Sequence, residues 1–312
     1  MPALAPPLKG AGCVVAVFIV AALALAACGS SSDDASSSVP KGDCPTAAVP
    51  VVVSVDQWGD IVDQLAGDCG DVTTVFKSSS ADPHDYEPTP ADNARFSGAK
   101  LVVENGLAYD PWADKAVATL DTKPVVVNVG KVVGLENGDN PHIWSGPEYV
   151  HDIADTVTAE LQQLEPKAAS YFEQRNQTWR RSMAPYDAEI ARIKPAAAGK
   201  TYGATEGIFD YMAEALGLTN KTPTGYQRAT ANGSDPSPGD LNEFEETLAH
   251  AKVSVLIYNT QTQGAIVKQV RNKAEADKVR VVDVTESVPP KFSTFVAWQV
   301  SQLEHLATAL GA

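Results

Sequence analysis

The chain has 312 residues, 44% of them hydrophobic, enough for one large or two medium domains with apolar cores. Its formal charge is -15, from 39 Asp and Glu against 24 Lys and Arg, and the basic residues form no cluster. Nucleic acid is therefore not an expected partner, because binding it depends on Lys and Arg displacing counterions from phosphates.

Lys9 is the one charge before Cys28, and Ala11 to Ala27 is a continuous run of small and apolar side chains. The run is short for a membrane span and sits where the apolar core of a secretory signal belongs. It ends in Leu25-Ala26-Ala27-Cys28, which resembles a bacterial lipobox, with cleavage before the cysteine and acylation of its thiol. An ordinary signal peptide or an anchor helix is the alternative. The Ser-rich stretch after Cys28 cannot bury a core and reads as a tether. With Cys13 removed and Cys28 lipidated, Cys44 and Cys69 remain, and in an exported domain two thiols most simply form one disulfide. A zinc site is the other option, but the spacing fits no common Cys motif.

From Val49 onward, short β-rich runs alternate with amphipathic stretches, which predicts βα units on a parallel sheet. VPVVVSV (49–55) reads as a buried strand, QWGDIVDQLAG as a helix stopped by Gly67, and DVTTVF (71–76) as the next strand. PADNARFSG is a short helix, AKLVVEN a strand, DPWADKAVATL a helix and PVVVNV a strand. From Gly146 to about Lys194 the apolar marks repeat at helical spacing. Glu165-Pro166 and Pro185 divide this stretch into two or three segments. A second series follows: strand KTYGAT, helix GIFDYMAEALG, helix PSPGDLNEFEETLAHA, strands KVSVLIYN and VRVVDVT, and closing helix TFVAWQVSQLEHLATAL. The expected organisation is a signal peptide (1–27), a tether (28–46), a first α/β lobe (47–164), a linking helical region (165–198) and a second lobe (199–312).

Parallel α/β sheets bind ligands beyond the carboxyl ends of their strands. Four ligand-capable side chains fall there: His84 after DVTTVF, His142 after PVVVNV, Glu206 after KTYGAT and Glu286 after VRVVDVT. Two imidazoles and two carboxylates, a pair from each lobe, suit a divalent cation such as Mn, Zn or Fe. His151, His250 and His305 lie within predicted helices and read as packing or solvent-facing residues.

The pieces DPHDYEPTPAD, LVVENGLAYDPW, NPHIW, GATEGIFDYMAEALGL, PSPGDLNEFEETL, LIYNTQT and VTESVPP run in order across nearly the whole mature chain. Together they resemble the cluster 9 (cluster A-I) metal-binding lipoproteins, the solute-binding components of zinc and manganese ABC importers. The resemblance implies two α/β lobes joined by a long helix, with one metal between them as cargo. It assigns His84 and His142 as ligands, and places Glu206 where the family has His or Glu. At the fourth position, usually Asp, VTES puts Glu286, with Asp283 as the fallback. The His- and acid-rich insertion of many zinc-specialised members is absent. The implied partners are a membrane permease with its ATPase, met by a monomer that is lipid-anchored at the outer face of the cytoplasmic membrane.

The two carboxylates favour Mn or Fe, whereas the Irving–Williams order favours Zn over Mn, so the expected cargo is Mn or Zn, with Fe third. Two other function classes stand against this one. A secreted metallohydrolase would need an open metal position and a general base, and neither H-E-x-x-H nor a nucleophile elbow or P-loop occurs. A receptor for an organic solute, such as a sugar or siderophore, would lean on aromatic stacking. Trp58, Trp112 and Trp144 are the candidates for it, though they more simply pack the lobes.

Overall fold

The computed structural model describes residues 43–77, 86–250, 252–262 and 264–312. Strand β1 (Val49–Val55) is buried at every position except Pro50, as a strand covered on both faces must be. It pairs in parallel with β2 (Gly70–Phe76) on one side and β3 (Leu101–Glu104) on the other. Strand β4 (Val125–Asn128) completes a sheet of order β2-β1-β3-β4 among the described residues.

Helix α1 (Asp56–Ala66) leaves β1 directly and buries Trp58, Ile61, Val62 and Leu65, the i, i+3, i+4, i+7 stripe of an amphipathic helix. Burying each of these side chains stabilises the lobe by roughly 1.5–3 kcal/mol. The helix stops at Gly67, whose φ of 54° is open to glycine at little cost. A Cβ there would also stand 2.3 Å from Tyr171 Oη and 2.9 Å from Arg175 Nε. Both belong to the linking region and tie the helix end: Arg175 Nε donates to Gln64 O (2.8 Å) and Asp68 N donates to Tyr171 Oη (2.7 Å). A guanidinium at the helix carboxyl end also complements its dipole. Just beyond, Cys69 is disulfide-bonded to Cys44, with Cα atoms 5.0 Å apart.

The first lobe continues with α2 (Pro90–Ala94), α3 (Pro111–Ala118) and α4 (Val129–Val132). Thr89 and Asp92 form a capping box on α2. The helical stretch between the two sheets is three helices, α5 (Pro147–Leu164) at the end of the expected first lobe, and α6 (Ala169–Ser182) and α7 (Ala184–Ala197) in the linking region. Its breaks fall at Pro166 and just before Pro185, because an interior proline removes a hydrogen bond and clashes with the preceding turn. The spacing in the sequence predicts this segmentation.

The second lobe comprises β5 (Thr201–Ala204), α8 (Asp210–Ala215), β6 (Thr219–Asn220), α9 (Thr224–Ala231), α10 (Pro238–Ala249), β7 (Val255–Asn259), α11 (Ala265–Ala276), β8 (Arg280–Val284) and α12 (Phe295–Leu310). Its parallel sheet, order β6-β5-β7-β8, repeats the winding of the first. Four elements were not expected from the sequence: α4, β6, α9 and α11. The first two are very short, α9 is a helix of eight residues, and α11 carries a readable stripe of Val267, Val270 and Ala274. One core cluster contains buried residues of both sheets and of α5 to α7, and the described residues form one compact unit. Helix α12 completes the join, with Phe295 N donating to Asp60 Oδ2 of α1 at 2.7 Å.

Candidate metal centre

In each sheet the chain winds outward in opposite directions from the two central strands, and the crevice beyond their carboxyl ends is the natural place for a ligand. In the second lobe Glu206 follows β5 and Asn259 ends β7, so the two face each other across that crevice. Asn259 Oδ1 accepts from Gln261 N (2.9 Å), which turns the amide so that Nδ2 points at acceptors. That Nδ2 donates to Glu206 Oε2 (2.8 Å) and, at 3.3 Å, to Glu286 Oε2. Thr262 Oγ1 adds a 2.6 Å bond to the same Glu206 Oε2. Glu286 is fully buried, and the amides of Glu286 and Ser287 both donate to Gln261 Oε1, at 2.5 and 2.8 Å.

The first lobe contributes His142. Its segment is anchored through a relay in which Trp58 Nε1 donates to Asn105 Oδ1 (3.0 Å) and Asn105 Nδ2 donates to Pro141 O (2.9 Å). Asn140 Oδ1 accepts from His142 N (3.0 Å) and lies 2.6 Å from His142 Nδ1. An amide oxygen there requires Nδ1 to carry the proton, which leaves the Nε2 lone pair turned toward the centre. The ring stands edge-on to Trp144 and Tyr109, with centroids 5.3 and 6.2 Å away.

Tyr109 reaches the centre from a loop in which Leu107 and Ala108 take left-handed φ values of 54° and 60°. Such conformations cost on the order of 1–2 kcal/mol each for non-glycine residues. The buried Asp110 carboxylate holds the loop, accepting from Asn105 N, Gly106 N and Ser54 Oγ. Gln57 Nε2 donates to Tyr109 Oη (2.9 Å), so the phenol proton goes to Glu286 Oε1, also at 2.9 Å. Burial first, and then the Glu286 charge, holds the Tyr109 pKa well above the ordinary phenol value.

His142 Nε2 consequently faces Glu286 Oε1 at 3.3 Å and Glu206 Oε1 at 3.8 Å. One ligand atom from each of the three residues lies within 4.8 Å of the other two. The lobes are tied at the same place, where Asn140 Nδ2 donates to Gly207 O (2.7 Å) and Tyr211 Oη donates to Asn140 O (2.8 Å).

Of the residues singled out in the sequence, the structure brings His142, Glu206 and Glu286 together. His84 and Cys28 lie outside the described residues. Asp283 is on β8, the edge strand, and its exposed carboxylate pairs with Arg271 (2.6 Å) rather than facing the centre. His151 packs on Trp179 beside Asp187, and His250 and His305 are exposed. Trp58, Trp112 and Trp144 are all buried and pack the first lobe. Tyr109, Asn140, Asn259, Gln261 and Thr262 carry the polar shell, and sequence reading did not assign them. Three of these, Asn259, Gln261 and Thr262, sit in LIYNTQT, a polar run directly after a buried strand, which was the available signal.

Two parallel-sheet lobes, with imidazole and carboxylate groups converging between them, define a two-lobed metal-binding protein of the solute-receptor type. The family described as zinc-uptake complex component A, periplasmic, matches residues 51–309, and the chain belongs to that family. It is 24% identical over 293 residues to the high-affinity zinc uptake system protein ZnuA of Bacillus subtilis, covering 87% of this chain and 88% of that protein. It is 25% identical over 279 residues to the manganese ABC transporter substrate-binding lipoprotein PsaA of Streptococcus anginosus, covering 84% and 86%. The fold is that of the solute-binding protein FpvC from Pseudomonas aeruginosa, solved in complex with Mn2+, with a TM-score of 0.72 at 20% identity over 85% of this chain and 98% of that one. The periplasmic zinc-binding protein TroA from Treponema pallidum shares it equally, with a TM-score of 0.72 at 19% identity over 84% and 99%.

Proposed function

We propose that the protein captures one divalent transition metal, Mn2+ or Zn2+, between its lobes and delivers it to an ABC-type import permease driven by an ATPase. The observation that carries this reading is the convergence of His142, Glu206 and Glu286 from both lobes within 4.8 Å, in a chain of the zinc-uptake component A family. His84 is the proposed fourth ligand. A cargo site needs strong, reversible coordination by protein groups, and a buried set of imidazole and carboxylate donors provides it. The reading is of a binding protein and not an enzyme. Cys28 is the proposed lipid attachment point, holding a monomer at the outer face of the cytoplasmic membrane.

Elemental analysis and titration calorimetry of the purified protein test the centre. About one metal per chain is expected, and His142→Ala or Glu206→Ala should lower affinity by well over the 10–100-fold typical of an outer-shell change while the fold is retained. A wild-type protein that takes up neither Mn2+ nor Zn2+ would overturn the reading. Mass spectrometry of the membrane-bound protein should find Cys28 at the N-terminus with an acylated thiol, and an unmodified Cys28 thiol would exclude lipidation there.

A further inference from the structure

The hydrogen bonds around Glu206 bear on which metal the centre prefers, an inference that rests on the cargo reading above. Each oxygen of an ionised carboxylate has two lone-pair sites. Glu206 Oε2 receives two donors, Thr262 Oγ1 at 2.6 Å and Asn259 Nδ2 at 2.8 Å. Both donors are fixed from behind. The Asn259 amide is oriented by Gln261 N at 2.9 Å, and Asn259 N is itself held by Thr205 Oγ1 at 3.2 Å. Nδ2 also lies 2.8 Å from Thr262 Oγ1, so the three groups form one closed triangle. Oε2 has both sites occupied, whereas Oε1 is the oxygen turned toward His142 Nε2.

Glu286 differs. Its Oε1 accepts from Tyr109 Oη at 2.9 Å, and its Oε2 accepts a longer bond of 3.3 Å from Asn259 Nδ2. The two short bonds from Thr262 and Asn259 converge on a single oxygen of Glu206, and it is there that the constraint falls.

We propose that Thr262 and Asn259 restrict Glu206 to single-oxygen coordination, and that this restriction biases the centre toward Zn2+ over Mn2+. Zn2+ is satisfied by four ligands in a tetrahedron, whereas Mn2+ prefers six oxygen-rich positions and gains from each bidentate carboxylate. A carboxylate held to one oxygen therefore costs Mn2+ more than Zn2+. Thr262 is a specificity residue acting through Glu206, and Thr262→Val, which keeps its shape, removes the hydroxyl without touching a ligand.

The test compares wild type, Thr262→Val and Thr262→Ser in competitive titrations with Mn2+ and Zn2+, and records the visible spectrum of each protein loaded with Co2+. In Thr262→Val the ratio of the Mn2+ to the Zn2+ dissociation constant should fall by about tenfold, the lower end of outer-shell effects on metal affinity. The d–d bands of bound Co2+ should weaken as its coordination number rises, and Thr262→Ser should restore both readouts. An unchanged ratio with an unchanged Co2+ spectrum would overturn the proposal, as would an equal loss of affinity for both metals. Failure of the wild type to bind either metal would sink the cargo reading instead, so the two failures are distinguishable.

Discussion

Asp56 and Asp60 should make the metal-free protein less stable as pH rises. They lie one turn apart on α1, in a cleft of about 570 Å3 between that helix and residues 288–294. Asp56 Oδ1 accepts from Val288 N (3.4 Å), and Asp60 Oδ2 accepts from Phe295 N (2.7 Å) and Gln64 Nε2 (2.7 Å). Burial outweighs these bonds and raises Asp56 from 3.8 to about 7 and Asp60 from 3.8 to about 6. A carboxyl whose pKa is higher in the folded state contributes stability that is complete below the unfolded value and lost as pH climbs through the folded one. At about 1.4 kcal/mol per tenfold, Asp56 would cost about 4 kcal/mol when ionised and Asp60 about 3. The cleft is open to water, so we halve both for solvent screening, to about 2 and about 1.5 kcal/mol.

Asp56→Asn keeps an oxygen for Val288 N and removes the charge. At about 2 °C per kcal/mol for a chain of this length, it should raise the melting temperature by about 4 °C near pH 8. Near pH 4 the gain should almost vanish, since both forms are then largely neutral. Glu104, raised to about 7 by burial, the buried Asp110 and the half-buried Asp210 also titrate upward, but they are common to both proteins and cancel in the difference. Thermal melts of wild type and variant across that pH range give the answer. A variant that melts lower at pH 8, or that gains equally at pH 8 and pH 4, would refute the reasoning.

Asn140→Ala removes both the partner of His142 Nδ1 and the bond to Gly207 O. Metal affinity should fall by about 10–100-fold in calorimetry, and Asn140→Asp should recover part of it. Gly67→Ala forces a left-handed alanine against Tyr171 and Arg175, and should cost at least about 1–2 kcal/mol in denaturant unfolding. Tyr171→Phe in the same background should return some of that loss by making room. Reducing the Cys44–Cys69 disulfide opens a loop of sequence separation 25 and should lower stability by about 3.5 kcal/mol, read from melts with and without reductant.

Periodicity and local stop signals were enough to read the two βα series, the segmented helical stretch between them and the strand ends beyond which His142, Glu206 and Glu286 lie. Apolar runs such as VPVVVSV and the proline breaks act within a few residues, so they are visible in a linear chain. The positions of His142, Glu206 and Glu286 followed from the rule that chemistry gathers beyond strand carboxyl ends. Sequence did not reveal that Asn259 bridges two carboxylates, that Tyr109 gives its proton to Glu286 across 177 positions, or that Asn140 joins His142 to the opposite lobe. It also left Asp283 open as a ligand until the register of β8 turned that side chain outward to Arg271. Such facts depend on which lobe faces which and on the direction of single N–H and O–H bonds. Those are settled by long-range packing, because a polar residue has no periodic signature and finds its partner only when the sheets and linking helices are in place.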